Sequence, residues 1–312
     1  MTKRLLNATA MLGVLLAGPA FAQSDTPAPA PPVAAPAAPA PATIDAHPAL
    51  WVVKDSDTTI YLFGTVHVLK PGVRWFDDGV KAAFDKSDRL VLELPDSDPA
   101  ANQPMIIKLA TDPNGRKLTD KLPAAVRERY VKAMAGLGLP ATALDAFEPW
   151  FASVNLSLIP LLKLGYDPNS GAEKTLSTAA KAEHKPISGF ESLDQQLGYF
   201  DTLPEALQIK FLDQTVQELP KAGETIDKMV DQWARGDPEA LGATLNEGLV
   251  EQPEIGRILL TDRNRRWAEV IADMMKRPGT IFIAVGAGHL AGKNSVQAML
   301  GKYRLKAVRV AD

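Results

Sequence analysis

Hydrophobic positions along the chain follow two rhythms. Toward both ends they gather into short, nearly unbroken runs, at 50–53, 58–64, 90–94 and 281–285. Such runs mark strands buried on both faces. The first two flank Lys54-Asp55-Ser56-Asp57 and predict a hairpin. Behind Asp77 and Asp78, the positions Val80, Ala83 and Phe84 predict a short helix that leads into a strand at 89–94. Strand, helix, strand in that order predicts a βαβ unit and a parallel sheet.

From about residue 104 to 275 the rhythm turns helical. Pro123 suits a first helical turn, Val126, Tyr130 and Met134 share one face, and Gly136 is the expected stop. Pro149 opens a very apolar helix over 150–164. It contains Asn155 and Pro160 and falls short of a membrane span, so its apolar faces are assigned to the core. A short strand is expected at 185–191, and further helices at 204–219, 224–235 and 254–276. The chain then closes with the strand at 281–285, a helix at 293–301 and a strand at 305–310. The predicted fold is α/β with α+β character. Its central, mostly parallel sheet is built from the N- and C-terminal segments, with a large helical insertion between them.

The first residues have a different character. Residues 1–22 read as a secretory signal, with Lys3 and Arg4, an apolar stretch at 5–17, and Ala20-Phe21-Ala22 as the cleavage pattern. A periplasmic or secreted location is expected, with no stable membrane insertion after cleavage. Residues 23–46 are almost all Ala and Pro and predict an extended, disordered tether. The folded domain is then expected over 47–312, enough for one large core. The absence of cysteine excludes disulfides, thiolate metal sites and a lipid-modified cysteine. The formal charge is −3, and removal of Lys3 and Arg4 would take it to −5. Without a basic patch, nucleic acid is not an expected partner. No sequence feature fixes an oligomeric state.

One pattern occurs twice. Tyr61-Leu62-Phe63-Gly64-Thr65-Val66-His67 and Thr280-Ile281-Phe282-Ile283-Ala284-Val285-Gly286-Ala287-Gly288-His289 each run an apolar strand into Gly-x-x-His. Only four histidines are present, and these two lie about 220 residues apart. Open α/β sheets bind ligands beyond the carboxyl ends of their strands. Two imidazoles delivered to that edge predict one shared site, of a kind suited to a metal. His184 sits in a polar stretch and is expected to be exposed, and His47 borders the tether and is not expected to be functional.

Three further residues are out of keeping with their settings. Glu93 lies within an apolar strand pattern, so its carboxylate is paired with an arginine, protonated or bound to a metal. Ile255, Leu259, Trp267 and Ile271 mark an inward helix face, and steps of four place Arg263 on it with Asn264 beside it. A buried guanidinium calls for an anionic partner, either a carboxylate or a developing oxyanion. Glu191 follows Gly189-Phe190 at a strand exit and reads equally as a site carboxylate or as a first-turn acid.

Taken in order, Phe63-Gly64-Thr65-Val66-His67, Val91-Leu92-Glu93-Leu94, Gly189-Phe190-Glu191 with Gln195 or Gln196, Asp262-Arg263-Asn264 with Trp267, and 286–292 resemble the TraB/GumN family, which is related to the Tiki metalloproteases. Tiki members are known as metal-dependent proteases that need both Gly-x-x-His motifs. The wider fold group includes erythromycin esterase-like hydrolases and a haem-binding lipoprotein. The resemblance implies a hydrolase acting on a peptide or protein. His67, His289 and Glu93 would hold a divalent ion (Mn, Co, Zn or Fe) in an open site. Glu191 would be the general base, Arg263 would stabilise the oxyanion and Asn264 would orient it, with the roles of Glu93 and Glu191 exchangeable. Two alternatives stand beside this: a metal-independent esterase, and a non-catalytic binder of metal, haem or peptide.

Overall fold

The computed structural model describes residues 44–311 apart from 96–97 and 250–251. The expected signal segment and most of the expected tether lie outside the described residues. Eight strands are found among the described residues: β1 (Ile44–Asp45), β2 (Leu50–Lys54), β3 (Thr58–Thr65), β4 (Val73–Arg74), β5 (Arg89–Leu92), β6 (Ile187–Gly189), β7 (Gly279–Gly286) and β8 (Val308–Arg309). β1 and β4 form a small pair, so the packed chain reaches back to Ile44, slightly ahead of the expected boundary. The other six make one sheet in the order β6-β5-β7-β3-β2-β8. β6, β5, β7 and β3 run parallel, and the predicted hairpin adds β2 antiparallel to β3.

Side-chain alternation explains the unbroken apolar runs. Phe63, Leu90, Leu92, Phe282 and Ala284 enter one core, with Phe84 and Leu176 from the helices Asp78–Asp85 and Ala172–Ala182. Ile60, Leu62, Val91, Ile281, Ile283 and Val285 enter the opposite core, against Trp267 and Ile271 of the helix Asp262–Met274. Strands covered on both faces carry no polar side, as parallel sheets require. The insertion has cores of its own, in which Trp150, Phe151 and Val154 of the helix Pro149–Lys163 pack with Phe200 and Phe211. Among the described residues no helix is long and apolar enough to cross a membrane.

Three of the differences from the sequence reading have a plain physical basis. The helix Ala124–Leu137 passes Gly136 and stops at Gly138, whose φ of 77° gives the left-handed cap. β5 ends at Leu92, so Glu93 lies just past the strand instead of inside it. The predicted helix at 254–276 is three pieces: Pro253–Gly256, a π turn at Arg257–Thr261, and Asp262–Met274. Steps of four overshoot a 3.6-residue turn, so an apolar stripe with that spacing drifts round an α-helix. The wider π turn takes up the drift, and Ile255, Leu259, Arg263, Trp267 and Ile271 all stay buried.

A buried ion pair closes the first corner of the insertion. Asp112 Oδ2 accepts from Lys121 Nζ at 2.6 Å and Arg116 Nη2 at 3.0 Å, and Oδ1 accepts the Asn114 and Arg116 backbone N–H groups. Burial raises the Asp112 pKa, but Lys121, Arg116 and the two backbone donors outweigh it and hold the carboxyl below its ordinary value of 3.8. A depressed folded-state pKa contributes stability above the unfolded value and loses it as pH falls toward the folded one. Asp112→Asn is expected to cost about 3 kcal/mol at pH 7. The gap to wild type should narrow as pH falls below about 4, as read by urea denaturation across that range.

Candidate functional site

Because β3, β5, β6 and β7 are parallel, their carboxyl ends open on one edge. Register does the rest. Thr65 pairs with Gly286, and Leu92 pairs with both Ala284 and Gly189. His67, Glu93, Glu191 and His289 therefore emerge side by side, each within three residues of its strand's end. Glu93 and Glu191 are tied further, since the Glu191 N–H donates to the Glu93 carbonyl at 2.9 Å.

Gly286 is the point on which three of these side chains converge. Its N–H donates to Glu93 Oε1 at 2.6 Å. A Cβ at this position would stand 3.0 Å from Glu93 Oε1, 3.7 Å from His289 Cδ2 and 3.8 Å from His67 Nε2. The first glycine has a different task. A Cβ on Gly64 would press to 3.0 Å on the backbone of Ala287, so Gly64 lets the second Gly-x-x-His turn lie against β3.

Arg263 underlies the site and is 0% exposed. Its Nη2 donates to Glu93 Oε2 at 2.7 Å and to Glu191 Oε2 at 2.8 Å. Its Nε reaches Glu191 Oε1 at 2.9 Å, and Nη1 donates to the Leu259 carbonyl at 3.1 Å, back in the π turn. Glu191 Oε1 also accepts from Trp267 Nε1 at 3.2 Å and Tyr199 Oη at 3.3 Å. Gln196 Nε2 adds a 3.3 Å contact to Glu93 Oε2. Glu191, the expected general base, is thus enclosed by the donors of Arg263, Trp267 and Tyr199. Arg263 is committed to carboxylates and not turned outward toward an oxyanion. Asn264, expected to orient a substrate oxyanion, instead touches His289.

Both imidazoles are held through Nδ1. Asn264 Nδ2 donates to the Asn294 carbonyl at 2.7 Å, which turns its Oδ1 toward His289 Nδ1 at 2.5 Å. An amide oxygen only accepts, so His289 carries its proton on Nδ1, and Nε2 is the acceptor nitrogen, 3.5 Å from Glu93 Oε1. His67 Nδ1 lies 2.7 Å from Glu173 Oε1, which also accepts from the Thr65 hydroxyl. A carboxylate likewise fixes the His67 proton on Nδ1 and leaves Nε2 on the Gly286 side.

The charges follow from burial. Burial raises the Glu93 pKa, but His289, Arg263, His67 and the Gly286 N–H together bring it down to about 2. Burial is also the largest influence on His289 and lowers it; Glu93 opposes, Arg263 and His67 add to the lowering, and the result is about 3. His289 is therefore neutral at pH 7 and supplies no charge there, which leaves Arg263 as the permanent charge beside Glu93, with the Gly286 N–H also favouring its ionised form. Toward the imidazoles the edge presents the Glu93 carboxylate, with the Nε2 lone pair of His289 facing it.

This donor chemistry fits a divalent ion. Imidazole ligands almost always give their other nitrogen to a carboxylate or a carbonyl, and both rings do so here. Among the described residues, however, no group of three or more His, Cys, Asp or Glu side chains forms a ready metal cage. The sequence reading placed His67, Glu93, Glu191, Arg263, Asn264 and His289 at one site, and all six lie at this edge. His47 and His184 are exposed and away from it. Glu173, Thr65, Tyr199 and Asn294 were not singled out. Glu173 is a first-turn acid like Asp194 and Glu205 in other helices, and the sequence alone does not distinguish it from them.

A model described as the TraB/PrgY/gumN family matches residues 49–307. The chain belongs to this family. Among relatives, "Uncharacterized protein YbaP" of Escherichia coli is 22% identical over 81% of this chain and 92% of its own length. "Uncharacterized protein" of Treponema pallidum is 24% identical over 82% of this chain and 80% of its own length. "Metalloprotease TIKI1" of Xenopus tropicalis is 25% identical over 81% of this chain but only 60% of its own length. No solved structure matches the chain. For this TraB/PrgY/gumN member, the distant likeness to a metalloprotease points toward hydrolytic chemistry.

The arginine cluster yields a direct stability test. Arg263→Met would leave Glu93 and Glu191 buried without their cation. It is expected to cost more than about 3 kcal/mol, since losing one partner strands the other charges. Adding Glu191→Gln should recover part of the loss, as measured by chemical denaturation of both variants.

Proposed function

We propose that this TraB/PrgY/gumN chain is an exported, divalent-metal-dependent hydrolase that cleaves peptide bonds in a peptide or protein. The reading is carried by one observation: His67 Nε2, His289 and Glu93 Oε1 all meet around Gly286. His67 and His289 would bind the ion through Nε2, and Glu93 would complete the set through Oε1. Two imidazoles and a carboxylate suit Mn, Co or Zn and leave coordination positions open. A bound ion would lower the pKa of a water and polarise the scissile carbonyl.

The chain's own residues prepare that site. Arg263 helps to keep Glu93 ionised, and Glu191, Tyr199 and Trp267 hold Arg263 in place. Asn264 keeps the proton of His289 on Nδ1. With Glu191 and Arg263 engaged in this way, their contribution is to orient and charge the ligand carboxylate, in place of base and oxyanion roles.

A second reading has one observation in its favour: Arg263 already pairs with the Glu93 carboxylate at 2.7 Å. In that case the His289–Glu93 pair would serve a metal-independent esterase, or the edge would bind a ligand without turnover.

Purified protein is expected to retain about one divalent ion, as a single open site predicts. The His67→Ala/His289→Ala variant should lose it while keeping its circular dichroism spectrum. Chelators should abolish cleavage of a peptide library, and Mn, Co or Zn should restore it. A folded wild type that binds none of these ions would overturn the metal reading, and chelator-resistant ester cleavage would establish the second.

A further inference from the structure

The ligand loop after β3 is closed by an element of the helical insertion. The Ala172 N–H donates to the Val66 carbonyl at 2.9 Å, and Leu69 and Asp167 exchange backbone hydrogen bonds at 2.9 and 3.4 Å. Gly171 lies so close that a Cβ on it would stand 2.1 Å from the His67 carbonyl oxygen. The helix Ala172–Ala182 therefore starts directly against His67, and Glu173 is its first-turn acid. The carboxylate reaches His67 Nδ1 at 2.7 Å and takes the hydroxyl of Thr65, which is fully buried in β3.

We infer that Glu173 is the positioning residue of His67: it fixes the proton on Nδ1, turns Nε2 toward Gly286, and makes the competence of the site depend on docking of the insertion. This rests on the proposed role of His67 as a ligand. Glu173 itself touches neither the substrate nor the ion. The two imidazoles are thus oriented from opposite faces of the sheet. Glu173 comes from the helix packed on one core, and Asn264 from the helix packed on the other. Outer partners of this kind typically change metal affinity by about 10- to 100-fold when removed.

The test separates tautomer from metal. Nitrogen NMR on the full chain with labelled histidine, at pH 8 without metal, reads the His67 tautomer, and His67→Ala assigns its signals. Wild type should show Nδ1–H. Glu173→Met, close in size but with no acceptor, should shift His67 toward Nε2–H and weaken zinc binding by about 10- to 100-fold. Glu173→Gln keeps an acceptor oxygen and should retain the wild-type tautomer. Gly171→Ala leaves the carboxylate intact but forces the helix off His67, and should give the same tautomer loss as Glu173→Met. An Nε2–H His67 in the wild type would overturn the inference, whether or not the variants fold. So would a folded Glu173→Met protein with unchanged tautomer. Failure of the wild type to bind zinc, Mn or Co would instead remove the proposed function, and the tautomer measurement would still decide the role of Glu173.

Discussion

A single buried guanidinium carries the organisation of this protein's polar edge. Arg263 sits between Glu93 and Glu191, two carboxylates from neighbouring parallel strands, with no exposure to solvent. Either carboxylate alone would be costly to bury in ionised form, and both together would repel. The cation removes both penalties. It also joins three segments distant in sequence: the exit of β5, the exit of β6 and the start of the helix Asp262–Met274. The π turn before that helix belongs to the same arrangement, since Arg263 Nη1 reaches back to the Leu259 carbonyl.

Around this anchor the parallel sheet performs a simple geometric service. Strands that share a direction release their following residues on one edge, and hydrogen-bonded register sets the spacing. Helices on both faces then supply partners from their first turns. Asn264 and Arg263 come from one side and Glu173 from the other. The site is therefore assembled between the layers and not on either of them. This explains why a large helical insertion accompanies so compact a polar centre: part of the insertion, the helix Ala172–Ala182, closes against the His67 loop.

The same geometry separates two uses of a carboxylate. Glu93 and Glu191 look alike in the sequence, each at the end of a strand. In the folded chain Glu191 is enclosed by Arg263, Tyr199 and Trp267, whereas Glu93 directs Oε1 at Gly286 and His289. Of these two, Glu93 is the one with an oxygen facing the imidazoles. The difference arises because Trp267 and Tyr199 close over the β6 side of the pair.

The sequence by itself determined the strands of the main sheet, its parallel centre and six of the polar residues at its edge. Unbroken apolar runs, glycine turns and the four-residue steps through Arg263 are local signals, and each reports burial of its own segment. Local periodicity also showed that Arg263 needs an anion, because a charge on an apolar face is unfavourable wherever it lies. What only the tertiary structure decided is who partners whom. Glu173 has the sequence character of any first-turn acid, and its value comes from a helix start pressed against His67. The Asn264 amide acquires its direction from the Asn294 carbonyl, thirty residues on. Hydrogen bonds between distant segments depend on distances of a few tenths of an ångström, and no local pattern of residues encodes a distance set by the packing of two helices across a sheet.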